Sequence, residues 1–333
     1  MASGGELLDR YGRRHDTLRV SVTDRCNLRC FYCMPERGVR FVGRREILSF
    51  EEIERLVRVA AGLGVRKVRV TGGEPLIRQD LPRLIRQLVS IRDLEDVALT
   101  TNGTLLAELA APLYQAGLRR LNVHLDTLDR ARFERITRRQ GLERVLAGLA
   151  AAQRLGFNPV KINVVAVKDL VEPDLAPLAR FGRERGFQIR FIEFMPLDAQ
   201  GLWERDKVLS AEEILETLER EIAPLVERPA AQTGAPAREF RFADGVGQVG
   251  FIASESRPFC GACNRLRLTA DGKLRYCLFA LQETDVKSLL RGGASDAELV
   301  AAIRSTVQAK WEGHTINGAR FVAPPRAMHA IGG

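Results

Sequence analysis

With 333 residues, 45% of them hydrophobic, the chain can bury a large core, and it contains no run of the about 18 apolar residues that a membrane span requires. A net charge of +9 invites an anionic ligand, but the arginines are scattered over stretches that also carry glutamates, which argues against a nucleic-acid-binding tail. The first residues show no basic segment leading into an apolar run, so a reduced, cytoplasmic setting is expected and a membrane or nucleic-acid partner is not.

From Leu18 to Pro196, short β-branched runs alternate with amphipathic stretches. Strands are expected at 18–23, 66–71, 96–101, 120–125, 160–167 and 188–194. Between the first two, Ser49 and Glu52 form a capping-box pattern for a helix that stops before Gly64. Six βα units in succession predict a parallel sheet with helices outside. Because a closed barrel takes eight, the expected class is α/β, a partial (βα)6 TIM-type barrel. Chemistry in such folds sits where the strands end.

The first strand runs into Cys26, Cys30 and Cys33 at C-x3-C-x2-C spacing, with Tyr32 before the last. Three thiolates are one short of the four that close a zinc or an all-cysteine iron–sulfur site, which leaves one metal position open. An incomplete zinc knuckle is the alternative. The second strand leads into Thr71-Gly72-Gly73-Glu74-Pro75, whose glycines permit close backbone approach to a ligand. The third ends in Thr100-Thr101-Asn102-Gly103 and the fourth in His124-Leu125-Asp126-Thr127. Lys161 and Asn163 lie on the fifth, and the sixth ends in Glu193-Phe194-Met195-Pro196.

Ser210 and Glu213 open another helix, and the Pro/Ala-rich run 229–237 reads as a linker. The chain is therefore divided into residues 1–228, the barrel, and 229–333, a C-terminal α+β region. Gly245, Gly247 and Gly250 make a formal G-x-G-x-x-G, but β-like residues lie on both sides of it, so a glycine-rich hairpin is expected and not a dinucleotide site.

A second triplet, Cys260, Cys263 and Cys277, is joined by a hairpin turning at Asp271-Gly272. A two-residue turn at Asp271-Gly272 would pair 266 with 277 and aim Cys277 away from Arg265 and Arg267; the three-residue loop, Ala270 to Gly272 with Gly272 left-handed, pairs 265 with 277 and is expected because it assembles a site. That register puts Cys263, Arg265, Arg267 and Cys277 on one face. A second iron–sulfur cluster with an open iron is the expected occupant; zinc with His314 as fourth ligand is the alternative. Ser295 to Trp311, with Ser295 and Glu298 as a capping pair, reads as a helix closing the second region onto the first.

With both triplets, the Gly-Gly-Glu-Pro turn, Arg265-Leu266-Arg267 and the terminal Gly332-Gly333 in hand, the sequence resembles the GTP 3′,8-cyclases of molybdenum cofactor biosynthesis over nearly its whole length. These are radical S-adenosylmethionine enzymes. The resemblance implies two 4Fe-4S clusters, one on Cys26, Cys30 and Cys33 and one on Cys260, Cys263 and Cys277. It implies that S-adenosylmethionine is cleaved to a 5′-deoxyadenosyl radical that removes hydrogen from C3′ of GTP, after which C3′ attacks C8. Tyr32, Gly73 and Met195 match S-adenosylmethionine contacts; Arg19, Arg69, Thr100, Lys161, Arg265 and Arg267 match GTP contacts. Leu266 falls in the same substrate-binding run and is expected to pack. The family usually has serine where this chain has His124, which is expected to line the pocket as a neutral cofactor contact or to stand just behind such a contact. Chain ends commonly fray, yet in the family the diglycine enters the active site, so Gly332 and Gly333 join Arg265 and Arg267 as catalytic candidates. The resemblance further implies GTP as substrate, an external low-potential electron donor and hand-off to the next enzyme of the molybdopterin pathway, and it admits a homodimer. A radical S-adenosylmethionine enzyme modifying a peptide and a zinc-ribbon nucleic-acid-binding protein are the competing readings.

Overall fold

The computed structural model of the chain describes residues 6–198, 200–229, 234–318 and 321–332. Six strands, β1 (Thr17–Ser21), β2 (Lys67–Thr71), β3 (Asp96–Thr101), β4 (Arg120–His124), β5 (Val160–Ala166) and β6 (Gln188–Glu193), lie side by side in chain order, each parallel to the next. Between them run α1 (Phe50–Gly62), α2 (Leu81–Val89), α3 (Leu106–Gln115), α4 (Arg130–Thr137) with α5 (Leu142–Leu155), and α6 (Leu175–Arg185). This is the expected (βα)6 arrangement.

Alternation along the strands decides what faces where. Leu18 and Val20 on β1 and Val68 and Val70 on β2 are buried in the main apolar core, so Arg19 and Arg69 project to the opposite face. The helices close the apolar layer with Ile53, Leu56, Val57 and Ala60 of α1 and Leu81, Leu84, Ile85 and Leu88 of α2. Each such side chain contributes about 1.5–3 kcal/mol on burial. Ser49 starts α1 with a reciprocal box: the Glu52 N–H donates to Ser49 Oγ at 3.1 Å and the Ser49 N–H to the Glu52 carboxylate at 2.6 Å.

The later strands extend the sheet at both edges. Beyond β6 come β9 (Gln248–Ile252), β8 (Arg238–Phe242) and β7 (Leu225–Glu227); beyond β1 come β10 (Arg265–Leu268), β11 (Lys273–Arg275) and β12 (Thr284–Asp285). β8 and β9 form the expected glycine-rich hairpin, with no helix after it. The division between 228 and 229 falls between β7 and β8, which pair with each other, and residues 230–233 of the expected linker lie outside the described residues. In the β10–β11 hairpin Arg267 pairs with Arg275 and Leu268 with Leu274, and Gly272 has φ +76°. That is the three-residue-loop register, which carried one step further sets 265 opposite 277. β10 lies parallel to β1, with Arg19 beside Arg267.

Three more helices complete the outer layer: α7 (Ala211–Glu221), α8 (Val286–Arg291) and α9 (Asp296–Gln308). α7 and α9 begin with capping boxes on Ser210–Glu213 and Ser295–Glu298. α9 lies against α1, where the Arg55 guanidinium donates to Asp296 Oδ1 at 2.8 Å and to the Ala294 carbonyl at 2.6 Å. A one-turn helix, α10 (Met328–Ile331), precedes Gly332.

Candidate functional site

The loop after β1 carries Cys26, Cys30 and Cys33. Cys33 and Met34 both donate their N–H groups to the Cys30 carbonyl, and Arg29 and Phe31 donate theirs to carbonyls at the end of α4. Burial first, and then neighbouring charge, pushes the Cys26 thiol up to about 11 and Cys33 to about 12, with Cys30 raised as well. Three adjacent, partly buried thiols that resist ionisation suit an occupant that itself brings positive charge. Among the described residues, no three His, Cys, Asp or Glu side chains converge on a single ion position. A four-iron cluster does not need that convergence, since each thiolate takes its own iron corner; a zinc ion does.

The Gly72-Gly73 turn packs under this loop. A Cβ on Gly73 would sit 2.4 Å from the Arg25 carbonyl oxygen, and one on Gly72 would sit 2.7 Å from that of Thr23. The Gly73 and Glu74 N–H groups donate to the Thr23 and Arg25 carbonyls. The glycines therefore admit the cluster loop itself, a role not anticipated for them, while the Gly73 carbonyl accepts no hydrogen bond from a described residue. Fully buried Glu74 then ties two strand ends together, accepting from the Leu76 N–H, the Thr101 hydroxyl and the Asn102 N–H at 2.9, 2.7 and 2.6 Å. Burial pushes its carboxyl up to about 7 against those three donors. Asn102 in turn donates to Asn27, beside Cys26, at 2.8 Å.

Tyr32 does not simply present its ring. Its hydroxyl donates to Asp126 Oδ2 and is in hydrogen-bond contact with His124 Nε2, which lies 2.9 Å from the same carboxylate oxygen. Asp126 Oδ1 accepts from the Val165 N–H at 2.7 Å. Burial pulls the His124 pKa down, but the Asp126 carboxylate outweighs it and the net shift is upward. Nε2 is thus engaged inside a Tyr–His–Asp group that ties the cysteine loop to β4, an arrangement compatible with the second of the two places expected for His124, behind the contacts that line the pocket.

The other face of the sheet is a layer of cations. Arg267, Arg19 and Arg69 sit side by side in register across β10, β1 and β2. Neither Arg19 nor Arg69 makes a hydrogen bond or ion pair with a described residue. Burial first, then repulsion from neighbouring arginines, lowers Arg19 well below its ordinary value, Arg267 to about 9 and Arg69 to about 10. Across the layer, Lys161 and Arg190 share one carboxylate, Glu239, at 3.3 and 3.6 Å. The Nε groups of Arg190 and Arg265 are buried without a partner among the described residues. Thr100 faces Asn122 in register. Leu266 is 1% exposed and belongs to the apolar core, so its side chain lies on the face away from the two arginines and does not meet a ligand there.

Arg190 was not anticipated. Its signal was present: Ile189 and Phe191 on either side are buried core residues, which sends Arg190 to the face that Arg19 and Arg69 occupy.

At the second triplet, Arg265 and Lys310 direct N–H groups at Cys263 Sγ at 3.6 and 3.4 Å. Burial raises the Cys263 thiol, but these cations win and bring it down to about 6; burial raises Cys260. His314 packs edge-on against Phe279, and its Nδ1 is buried without a partner among the described residues.

The C-terminal segment enters the layer. Arg326 pairs with Asp271 and Glu283, Ile331 (1% exposed) packs with Leu197, Phe279 and Ile316, and Met195 lies against that group. The Gly332 carbonyl oxygen accepts from Arg267 Nη1 at 2.9 Å; Gly332 has φ +92°, and a Cβ there would sit 2.8 Å from Ser21 Cβ. Gly333 lies outside the described residues.

Residues 20–182 match the Radical SAM superfamily and residues 187–316 match the family described as Molybdenum Cofactor Synthesis C. The GTP 3′,8-cyclase of Rhodopirellula baltica is 50% identical over 98% of this chain and 92% of its own length. That of Mycolicibacterium smegmatis is 49% identical over 99% and 92%. Among solved structures, Streptococcus suis SuiB bound to S-adenosylmethionine superposes with a TM-score of 0.63 at 17% identity, covering 87% of this chain and 68% of SuiB, a likeness of fold.

Proposed function

The chain belongs to the GTP 3′,8-cyclase family of radical S-adenosylmethionine enzymes, and from that premise we propose which of its residues perform the reaction. The enzyme is a lyase of molybdenum cofactor synthesis: a 5′-deoxyadenosyl radical takes hydrogen from C3′ of GTP and C3′ then joins C8. The 4Fe-4S cluster, when bound, supplies the electron that cleaves S-adenosylmethionine. Cys26, Cys30 and Cys33 hold that cluster. The Gly73 carbonyl accepts from the methionine amino group, and Tyr32, fixed by His124 and Asp126, together with Met195 borders the cofactor.

Cys260, Cys263 and Cys277 hold a second 4Fe-4S cluster, with residues 229–333 supplying that site and residues 1–228 the barrel. Arg19, Arg69, Lys161, Arg265 and Arg267 bind the GTP anion and Thr100 its polar edge, joined by Arg190. The observation that carries this reading is the Arg267–Arg19–Arg69 row, two members of which make no hydrogen bond or ion pair with a described residue. Buried cations are tolerated when an anion fills the space between them, and guanidinium forks match phosphate oxygens. Gly332, on Arg267, closes the site over the nucleotide, and the Gly332-Gly333 pair takes part in radical transfer. Electrons come from an external low-potential donor, the product passes to the next enzyme of molybdopterin synthesis, and the setting is cytoplasmic; among the described residues no helix is long and apolar enough to cross a membrane.

The test is made on anaerobically reconstituted protein: iron and sulfide are counted, then S-adenosylmethionine, a reductant and GTP are added. A brown protein with about eight irons that forms 5′-deoxyadenosine and a cyclised guanosine triphosphate is expected. About four irons, with deoxyadenosine but no GTP product, would refute the second cluster and the GTP assignment together.

A further inference from the structure

Lys310 lies just past the end of α9 and is 3% exposed. Its ammonium donates to the Arg265 carbonyl at 3.0 Å, to the Tyr276 carbonyl at 2.9 Å and to Cys263 Sγ at 3.4 Å. No carboxylate pairs with it among the described residues; the negative charge that faces it is that of the Cys263 and Cys277 thiolates, opposed by the Arg265 guanidinium. A buried ammonium needs a compensating anion. The two carbonyls satisfy two of its three N–H bonds and fix their direction; the third is aimed at sulfur. The same lysine binds the strand carrying Arg265 to the residue before Cys277, so its place is set by both arms of the hairpin that presents the triplet.

We propose that Lys310 is the electrostatic partner of the second iron–sulfur cluster, donating an N–H···S hydrogen bond to the Cys263 thiolate and raising the cluster's reduction potential. This rests on the reading that the second triplet holds a cluster. A cation and a hydrogen bond at a ligating sulfur draw electron density from it and stabilise the reduced form, the lever by which proteins tune such centres. Arg265 also points at Cys263, but at 3.6 Å and from the face assigned to the nucleotide. Lys310 approaches from the buried side, anchored whether or not substrate is present. It is a positioning and tuning residue and touches no reacting atom.

The test uses the full chain with Cys26, Cys30 and Cys33 replaced by alanine, so that every iron signal comes from the second site. Iron is counted first: about four irons per chain are expected, and none would refute the cluster itself, separately from Lys310. Lys310→Met and Lys310→Arg are then introduced and the one-electron couple is titrated by electron paramagnetic resonance without GTP. Lys310→Met should shift the midpoint negative, lowering the reduced-to-oxidised ratio at the parent's midpoint about tenfold, equivalent to about 59 mV, while Lys310→Arg stays near the parent. A Lys310→Met protein with full iron and the parent's midpoint overturns the proposal. So does equal loss of iron from both variants, which would make Lys310 a packing residue.

Discussion

Gly332 is the position where a single methyl group tests the site most directly. Its backbone, at φ +92° and ψ 105°, lies in a region that side chains rarely enter, and a Cβ would meet Ser21 Cβ at 2.8 Å and Thr71 Cγ2 at 3.3 Å. The dihedral alone costs about 1–3 kcal/mol for a non-glycine residue. The segment is short and held mainly by Arg326, Ile331 and the Arg267 bond, so the cost is met by undocking and not by rearranging the barrel. That range lowers the ratio of docked to undocked tail by about 5- to 150-fold, and the Ser21 contact adds to it. We therefore expect Gly332→Ala to lose most GTP cyclisation while its iron content matches the wild type, and deletion of residues 332 and 333 to abolish cyclisation. The assay follows cyclised product and 5′-deoxyadenosine in the same anaerobic reaction. Pairing the substitution with Ser21→Gly should recover the part due to the contact and leave the part due to the dihedral. A Gly332→Ala enzyme that cyclises GTP at the wild-type rate would refute the docked tail as a working part.

Three further outcomes are expected. Glu74 is pushed up by burial from 4.5 to about 7, so between those pH values the folded chain keeps a proton that the unfolded chain has released. Its contribution to stability is therefore greatest below pH 4.5 and falls as pH rises toward 7, by about 1.4 kcal/mol per unit at most, a slope that denaturant titrations should find missing in Glu74→Gln. The same variant replaces one carboxylate oxygen by an NH2 group that faces at least one backbone donor, the Asn102 or the Leu76 N–H, and should cost about 1–3 kcal/mol at pH 8. His124→Ser removes one of the two groups holding the Tyr32 hydroxyl and should weaken S-adenosylmethionine binding several-fold in anaerobic calorimetry; unaltered affinity would count against this placement. Arg190→Met should raise the KM for GTP by about 10- to 150-fold, the range for lost charged hydrogen bonds, with S-adenosylmethionine affinity unchanged; an unchanged KM would exclude Arg190 from the nucleotide site.

Local physics made much of this molecule readable. Each of the six barrel strands falls within two residues of its expected bounds at either end, because β-branched runs and capping pairs are short-range signals. The three-residue loop at Ala270–Gly272 was preferred to a two-residue turn because it gathers Cys263, Arg265, Arg267 and Cys277 on one face, and the β10–β11 pairing has that register. Gly72 and Gly73 were read as room for a ligand, whereas their missing side chains accommodate the backbone of residues 23–25, a contact with no trace in composition. Lys310 was invisible for the same reason, since its three partners are Cys263 before β10, Arg265 on β10 and Tyr276 after β11. His124 stood out as unusual, but only the fold brings it to Tyr32 and Asp126.

The parallel pairing of β10 with β1 also governs how the chain reaches this state. Asp16 and Asn264, joined by a side-chain hydrogen bond at the start of that ladder, are 248 residues apart. During synthesis the hydrogen-bonding edge of β1 stays unfilled until nearly four-fifths of the chain has left the ribosome. At about 5–20 residues per second this is an interval of roughly 10–50 seconds. For that time a partly built barrel displays an open strand edge, the surface that invites pairing between nascent chains. Placing the late strand β10 beside the first thus ties completion of the sheet to the last fifth of the polypeptide, and a chain truncated before residue 265 would carry an exposed edge suited to aggregation and to degradation.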